Sequence, residues 1–385
     1  MQWYSSMKIP ALLLLGPPGE SEIEHWISLA KRAAALDLVQ RMNAAGNIET
    51  VYVYTPDLEF AEPLKNAGAV LRKSSAGDFN FGRQLHICVD DISSECFAYF
   101  GAASAPLLSA KWIRAIVEQL VLAENPWACV NNFHSTDWAF FNFSSLLSAA
   151  DQHLPADNSL GWVARNICGF NLVSVPVSAA SRADLDTPTD LLMMEGHADL
   201  GSQLAAIINE SNFFSGKQAS EIKSLISTPA KTLALIGRVS SVSSRRLEKA
   251  TQIWTRVFSE ERGMAASGRL SRGEVTSLAG KVMLSWGASR FVEELEQLAD
   301  GVLWDTRVVM AQLFGWPSAS DRFAFDLGRT DMLSNDEMGQ WCNAIRKSAV
   351  PILSGGHGVV SGGLLALLES VYPQLIPEFD IIQIP

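Results

Sequence analysis

Residues 182–192 read Arg-Ala-Asp-Leu-Asp-Thr-Pro-Thr-Asp-Leu-Leu (RADLDTPTDLL), with aspartates at 184, 186 and 190 around Thr187-Pro188. Thr187 suits a helix N-cap, and Pro188 suits the first helical position, where its missing N–H costs nothing. Asp190 then falls at the third helical position, where a carboxylate favours the positive helix end. Upstream, NLVSVPVSAAS is rich in valine and small residues and reads as a strand and its exit. Asp184 and Asp186 therefore lie in a strand-to-helix turn, at the edge of an α/β sheet where ligands bind. Helix capping needs only Thr187 and Asp190. Asp184 and Asp186 are either solvated loop residues or a metal-binding edge.

The chain has 385 residues, room for two or three domains, and is 48% hydrophobic and 18% charged. That composition builds a sizeable core. The formal net charge of −11 argues against nucleic acid or an anionic membrane as partner, but not against one small nucleotide held with a metal. Five cysteines, 88, 96, 129, 168 and 342, show no CxxC spacing and suit free thiols in a reducing compartment. The N-terminal apolar run Ile9–Leu15, broken by Pro10, is too short for a membrane span. The expectation is a cytoplasmic protein.

The first 200 residues alternate between strand-like and helix-like segments. PALLLLG, ETVYVYTPD, AVLRKSS, CFAYFG, WACV with WAFFNF, and NLVSVPV read as strands. Ser21–Ala45 (ending at Gly46), EFAEPLKNAG, FGRQLHICVDDI, SAKWIRAIVEQLVLAE and SLGWVARNIC read as helices. This alternation predicts a doubly wound, mostly parallel sheet. Beyond about residue 215, SSRRLEKATQIWTRVFSEERG, GEVTSLAGKVMLSWGASRFVEELEQLADGVLW and DEMGQWCNAIRKSA read as helical, with strand signals only in short pieces such as LALIG and VPILSG. The expectation is an α/β domain, residues 1–212, and a mainly α-helical domain, 213–385, divided in NESNFFSGKQAS. The apolar tail LIPEFDIIQIP needs cover, either from the body or from a second subunit. Trp112, Trp254 and Trp286 are expected in the core.

In this context RADLDTPTDLL resembles the D-x-D-T-P-x-D-L turn of the MobA-like nucleotidyltransferase superfamily. That group includes molybdenum cofactor guanylyltransferases, phospholactate guanylyltransferases and sugar-acid cytidylyltransferases. ALLLLGPPGE stands where the first strand and nucleotide loop would be, and YFGAASAPLLS where a central strand would end in G-D-x-P-L-L. The resemblance covers about residues 8–200. It implies a GT-A type fold and transfer of a nucleotidyl group from a nucleoside triphosphate to a small phosphorylated or sugar-like acceptor. It also implies Mg²⁺ held by two carboxylates, with Asp186 as one metal ligand and Asp184 as its helper.

Two positions depart from the pattern. Ser104 stands where the second aspartate belongs, and no acid lies between Tyr99 and Ala110. A serine hydroxyl is a weak ligand for so hard a cation. The loop Gly16-Pro17-Pro18-Gly19-Glu20-Ser21 has two prolines without N–H donors and one acid where phosphate would be cradled. A replacement carboxylate would come from Asp137 or from Asp90/Asp91. Otherwise the domain is a degenerate nucleotidyltransferase that binds a ligand or serves as a scaffold.

In the second half three segments carry chemistry. FSEERGMAASGR offers Glu261 and Arg262, or else a solvated helix end capped by Gly263. LWDTRVVMA offers Asp305 and Arg307, or else a structural bridge between them. ILSGGHGVVSGGLLALLESV has five glycines, including Gly356 and Gly358, leading into an apolar helix. Such a loop serves either an anion site or tight packing, and His357 in its middle can supply a proton donor or a metal ligand. The candidate set is thus Asp186, Arg262, Asp305, Arg307 and His357 for catalysis. Gly16, Gly19, Ser104, Gly356 and Gly358 are candidates for ligand contact, and Asp184 and Asp186 for metal. The partner is a nucleotide or sugar-like small molecule, and a homo-oligomer stays open.

Overall fold

A computed structural model describes residues 7–74, 80–156, 159–213 and 216–384. Residues 1–6, Ser75, Asp157, Asn158, Phe214, Ser215 and Pro385, which end or interrupt segments read above, lie outside the described residues.

The first half builds on β1 (Ile9–Leu14), β2 (Ile48–Thr55), β3 (Val70–Lys73), β4 (Phe97–Gly101), β5 (Trp127–Val130), β6 (Trp138–Phe141) and β7 (Asn171–Ser174). The strands β3, β2, β1, β4, β6, β5, β7 lie side by side in that order; β6 alone of these seven runs antiparallel to its neighbours. Alternate residues feed two cores. Ala11, Leu13, Ala98 and Phe100 pack against the helices Glu22–Ala45 and Ala110–Leu122. Leu12, Phe97 and Tyr99 pack against Phe81–Ile92 and Leu160–Asn166. Burial on both faces explains why these strands read as continuous apolar runs. The long first helix starts at Ser21, whose side chain and that of Glu24 close a capping box, and stops at Gly46 with φ +82°.

The second half is not mainly helical at its centre. β8 (Thr232–Gly237), β9 (Trp254–Ser259), β10 (Gly301–Asp305) and β11 (Ile352–Gly355) form a four-stranded, wholly parallel sheet in the order β11, β10, β8, β9. Leu233, Leu235 and Leu303 face one core, and Ala234, Ile236, Val302 and Trp304 the other. The strand signals in LALIG and VPILSG correspond to β8 and β11, whereas β9 and β10 lie inside stretches read as helical; β10 is a short apolar run with no period that separates strand from helix. TQIWTRVFSEERG corrects most clearly: Trp254–Ser259 is an edge strand, and the chain leaves it as a loop rather than a helix end at Gly263. Trp254 is 69% exposed and Trp286 45%, so of the three tryptophans only Trp112, at 5%, is core.

The halves interlock. The tail returns to the first sheet, where β12 (Ile382–Gln383) pairs antiparallel with β7 and Phe379 meets Trp112 edge-on. The body therefore covers the tail. Buried Glu369 accepts hydrogen bonds from Ala179 N at 3.1 Å and lies 3.3 Å from His197 Nε2. No described helix is long and apolar enough to cross a membrane. The five cysteines are free thiols.

Candidate functional site

Each sheet presents the carboxyl ends of its parallel strands to one cleft of about 1250 Å³. From the first half come Gly16 and Gly19 after β1, Ser104 after β4, Asn131 after β5, Asp137 before the antiparallel β6, and Arg182, Asp184 and Asp186 after β7. Arg238 follows β8, Arg262 follows β9 and His357 follows β11. In the second sheet the strand order reverses between β8 and β10, and that crevice is where open parallel sheets bind ligands.

The helix Pro188–Met194 begins as the sequence predicts. Thr187 is its N-cap, and Asp190 Oδ2 accepts from Thr187 N at 2.7 Å, Thr187 Oγ1 at 2.9 Å and Asp186 N at 3.1 Å. Asp190 is thereby spent on capping. Asp184 and Asp186 are not, and both line the cleft. Lys31 Nζ stands 3.9 Å from Asp186 Oδ1, which is largely exposed. Burial pushes the Asp184 carboxyl well above the usual carboxylate range, and the charges of Asp186, Asp137 and Asp190 push it the same way.

Of the replacement carboxylates, only Asp137 reaches this cleft. Its backbone oxygen accepts from Gly101 N at 3.1 Å, and its Oδ2 from Asn131 Nδ2 at 2.8 Å. Asp91 is instead held by Tyr54 Oη at 2.7 Å and Arg72 Nε at 3.1 Å, and Asp90 lies 3.4 Å from His86. Ser104 is at the cleft but turned back on its own strand, its Oγ donating to Gly101 O at 2.8 Å. Among the described residues no three His, Cys, Asp or Glu side chains gather as a metal cage. Asp184 and Asp186, two residues apart on one turn at the cleft, still fit Mg²⁺, which keeps waters and takes its remaining oxygens from phosphate.

The loop after β1 has little to offer an anion. Gly19 N donates to Ser28 Oγ at 2.9 Å, and Ser21 N to Glu24 Oε2 at 3.2 Å. A Cβ on Gly19 would lie 2.3 Å from that of Glu24, so this glycine serves close packing.

The other candidates divide. Arg262 and His357 line the cleft. Asp305 is wholly buried; its carboxylate accepts from Arg238 Nε at 2.6 Å and Nη2 at 3.0 Å, aiming that guanidinium at the crevice. Arg307 is buried against Asp326, with Nη1–Oδ1 at 3.0 Å. The side-chain bridge expected between Asp305 and Arg307 is absent; only Arg307 N reaches Asp305, at 3.2 Å. Gly356 and Gly358 do not face the cleft. A Cβ on Gly356 would meet Thr187 Cγ2 at 2.7 Å, and one on Gly358 would meet Asp190 Oδ1 at 2.0 Å. The glycine loop exists so that it can press on the RADLDTPTDLL turn.

Burial, then Arg238, pushes His357 down to about 4, with Asp305 opposing and Arg262 adding to the shift. It is therefore neutral at pH 7 and a weak base. Its Nδ1 lies 3.3 Å from Ser361 Oγ, and its Nε2 is buried without a partner. Sequence reasoning missed Arg182, Arg238 and Lys31. Arg238 directly follows the LALIG strand, a signal available only once that strand is placed in a parallel sheet.

No family model matches the chain, and the comparison with curated proteins returns no match. Among solved structures, the chain is similar to a cytidylyltransferase from Leptospira borgpetersenii at 17% identity, over 54% of this chain and 100% of that one, with a TM-score of 0.38. A nucleotidyl transferase from Methanothermobacter thermautotroptrophicus aligns at 16% identity over 43% of this chain and 85% of its own, with a TM-score of 0.34. A 4-diphosphocytidyl-2C-methyl-D-erythritol synthase from Anaerococcus prevotii aligns at 11% identity over 44% and 88%, with a TM-score of 0.31. At these scores the likeness says nothing of activity or substrate.

Proposed function

We propose that the protein is a nucleotidyltransferase-like enzyme with a MobA-like, GT-A type domain in residues 1–212. It moves a nucleotidyl group from a nucleoside triphosphate to a small phosphorylated or sugar-like acceptor. Residues 213–385 close the same cleft from the other side. One observation carries the reading: Asp137, Asp184 and Asp186 converge on the carboxyl edge of the first sheet, with Lys31 beside them.

Asp184 and Asp186, joined by Asp137 in place of Ser104, are the residues that would hold a divalent cation, and such a cation would supply neutralisation of phosphate charge. In the transfer an acceptor oxygen bonds to the α-phosphorus and pyrophosphate leaves. The chain's own part is positioning. Lys31 sets a positive charge beside Asp186, Asp305 fixes Arg238, and the two lips of the cleft hold donor and acceptor together.

A second reading has its own support. Ser104 is turned away, and the Gly19 and Ser21 amides are already engaged. On that reading the domain binds a nucleotide-like or sugar-like ligand without transferring it.

A thermal-shift series with the four nucleoside triphosphates, each with and without Mg²⁺ or Mn²⁺, tests both readings. A shift that needs nucleotide and metal, and disappears in Asp186→Ala and Asp137→Asn, supports transfer. A shift with nucleotide alone, unchanged in both variants, supports the second reading. No shift with any nucleotide removes both.

A further inference from the structure

Two guanidiniums, one from each half, meet at the cleft. Arg182 ends the short helix Ala179–Arg182 that follows β7, where its carbonyl is packed so closely that a Cβ on Gly362 would lie 1.7 Å from it. Arg262 stands on the loop after β9. Each lines the cleft, and the charge of Arg262 reaches Arg182 there. Among the described residues neither forms an ion pair. Asp137 acts on Arg182 with the opposite charge, and more strongly than Arg262 does. Arg238, by contrast, is neutralised by Asp305. Neither guanidinium is ion-paired, so an anion between them meets open donors.

The surroundings fit an anion. The helix Ser241–Ala250 starts at the cleft, with Ser240 as N-cap, Ser240–Ser243 along the wall and no acidic residue in its first turn. Its positive end therefore stands uncompensated. At the same place His357 Nε2 has no partner. The Ser361 hydroxyl donates to His357 O at 2.8 Å, so its oxygen accepts from Nδ1–H. That leaves Nε2 as a bare acceptor for a ligand hydroxyl.

We propose that Arg182 and Arg262 clamp the phosphate of the second substrate, a small hydroxylated phosphate monoester, between the two halves. A phosphate monoester carries about −1.5 to −2 charges at neutral pH, which two unpaired guanidiniums balance, and its geometry suits the guanidinium fork. The identity of this group as the acceptor's rests on the transfer reading above; the seat itself does not. In that reading the cation engages the carboxylates, and the two arginines are left for the acceptor.

The test is isothermal calorimetry of inorganic phosphate, and of glycerol 3-phosphate, with the full chain at constant ionic strength and no metal or nucleotide. The net charge of −11 repels phosphate, so binding reports a local site. Arg262→Gln, at an exposed position, and Arg182→Gln each weaken binding roughly ten- to hundredfold. Arg262→Lys restores part of it, and Arg290→Gln, on an exposed helix face, changes nothing. Absence of phosphate binding, or binding indifferent to both glutamine variants, overturns the seat. Phosphate binding that survives Asp186→Ala while every nucleotide-and-metal shift fails leaves the seat standing and removes the transfer reading. The reverse pattern removes the seat alone.

Discussion

A Cβ built on Gly358 would stand 2.0 Å from Oδ1 of Asp190, the residue that caps the helix after the aspartate turn. The two sequence features richest in signal, RADLDTPTDLL and SGGHGVVSGG, are thus one packed unit. Gly363 tightens the same contact, its Cβ position 2.8 Å from Gly358 O and 3.2 Å from Met193 Cβ. None of the five loop glycines has positive φ, so close approach and not backbone freedom requires them.

Gly358→Ala and Gly362→Ala are therefore expected to destabilise by about 1–3 kcal/mol each, the cost of forcing atoms into a filled contact. Gly362 should be the worse, because its neighbour is the Arg182 carbonyl and cannot swing aside. Gly339→Ala is the control. It lies inside the helix Asp336–Arg346 with no atom within 4 Å of its Cβ position, and should stabilise by about 0.5–1 kcal/mol. Urea midpoints of the three variants decide this; equal effects would mean that the loop does not pack as described.

Arg307 and Asp326 are buried together, and breaking such a pair strands one charge. Arg307→Met should cost about 3–5 kcal/mol at pH 7.5. Burial already pushes Asp326 up to about 6 with the arginine present, so without it the carboxyl takes up a proton more readily still. The native variant then binds a proton that its unfolded state does not, and its loss of stability should shrink as pH falls to 5. Denaturant curves at the two pH values measure this. A penalty that grows toward acid would show that Asp326 finds another cation.

Local chemistry was the legible part of the sequence. The long helix from about Ser21, its stop at Gly46 and the Thr187-Pro188 helix start follow from residue types alone. So does the alternation of the first sheet. Half of the second sheet was legible as LALIG and VPILSG; β10 was hidden as a short apolar run beside a helix, and β9, with Thr255, Arg256 and Ser259, inside a stretch read as helical. The site was half legible for a related reason. Asp184, Asp186, Arg262 and His357 stood out as residues and Asp137 was one of two alternatives for the missing carboxylate, but Arg182 and Arg238 gain meaning only from strand order, which brings distant turns to one edge. Asp305 and Arg307 were noticed for being charged in an apolar run; each turned out to hold another residue in place and not to face the cleft.

Trp254 and Trp304 show how a wrong environment changes a forecast. Trp304 is fully buried, with Phe291 tilted against it at 5.4 Å and Trp341 edge-on at 5.1 Å. Its replacement by Ala should cost about 3–5 kcal/mol. Trp254 lies on the outer strand of the second sheet at 69% exposure, and Trp254→Ser should stay within about 0.5 kcal/mol of wild type. Thermal unfolding of both variants checks it. A large loss at Trp254 would mean that this strand is covered in solution.

His357 supplies the last prediction, because its charge state sets what the cleft accepts. The groups acting on it are Arg238 and Arg262, which oppose its protonation, and Asp305 and Asp186, which favour it; burial outweighs the acids. Its folded value lies near 4, against an ordinary 6.5, so between those values the unfolded chain binds a proton that the native protein refuses. Stability then rises with pH across that window and is lost as pH falls through it, with a ceiling of about 1.4 kcal/mol per pH unit for one group. In His357→Gln this contribution is gone. The stability difference, wild type minus variant, should therefore decrease from pH 7 to pH 4.5. If it increases instead, the protonated imidazole has gained a partner, and the carboxylates at the cleft dominate the arginines.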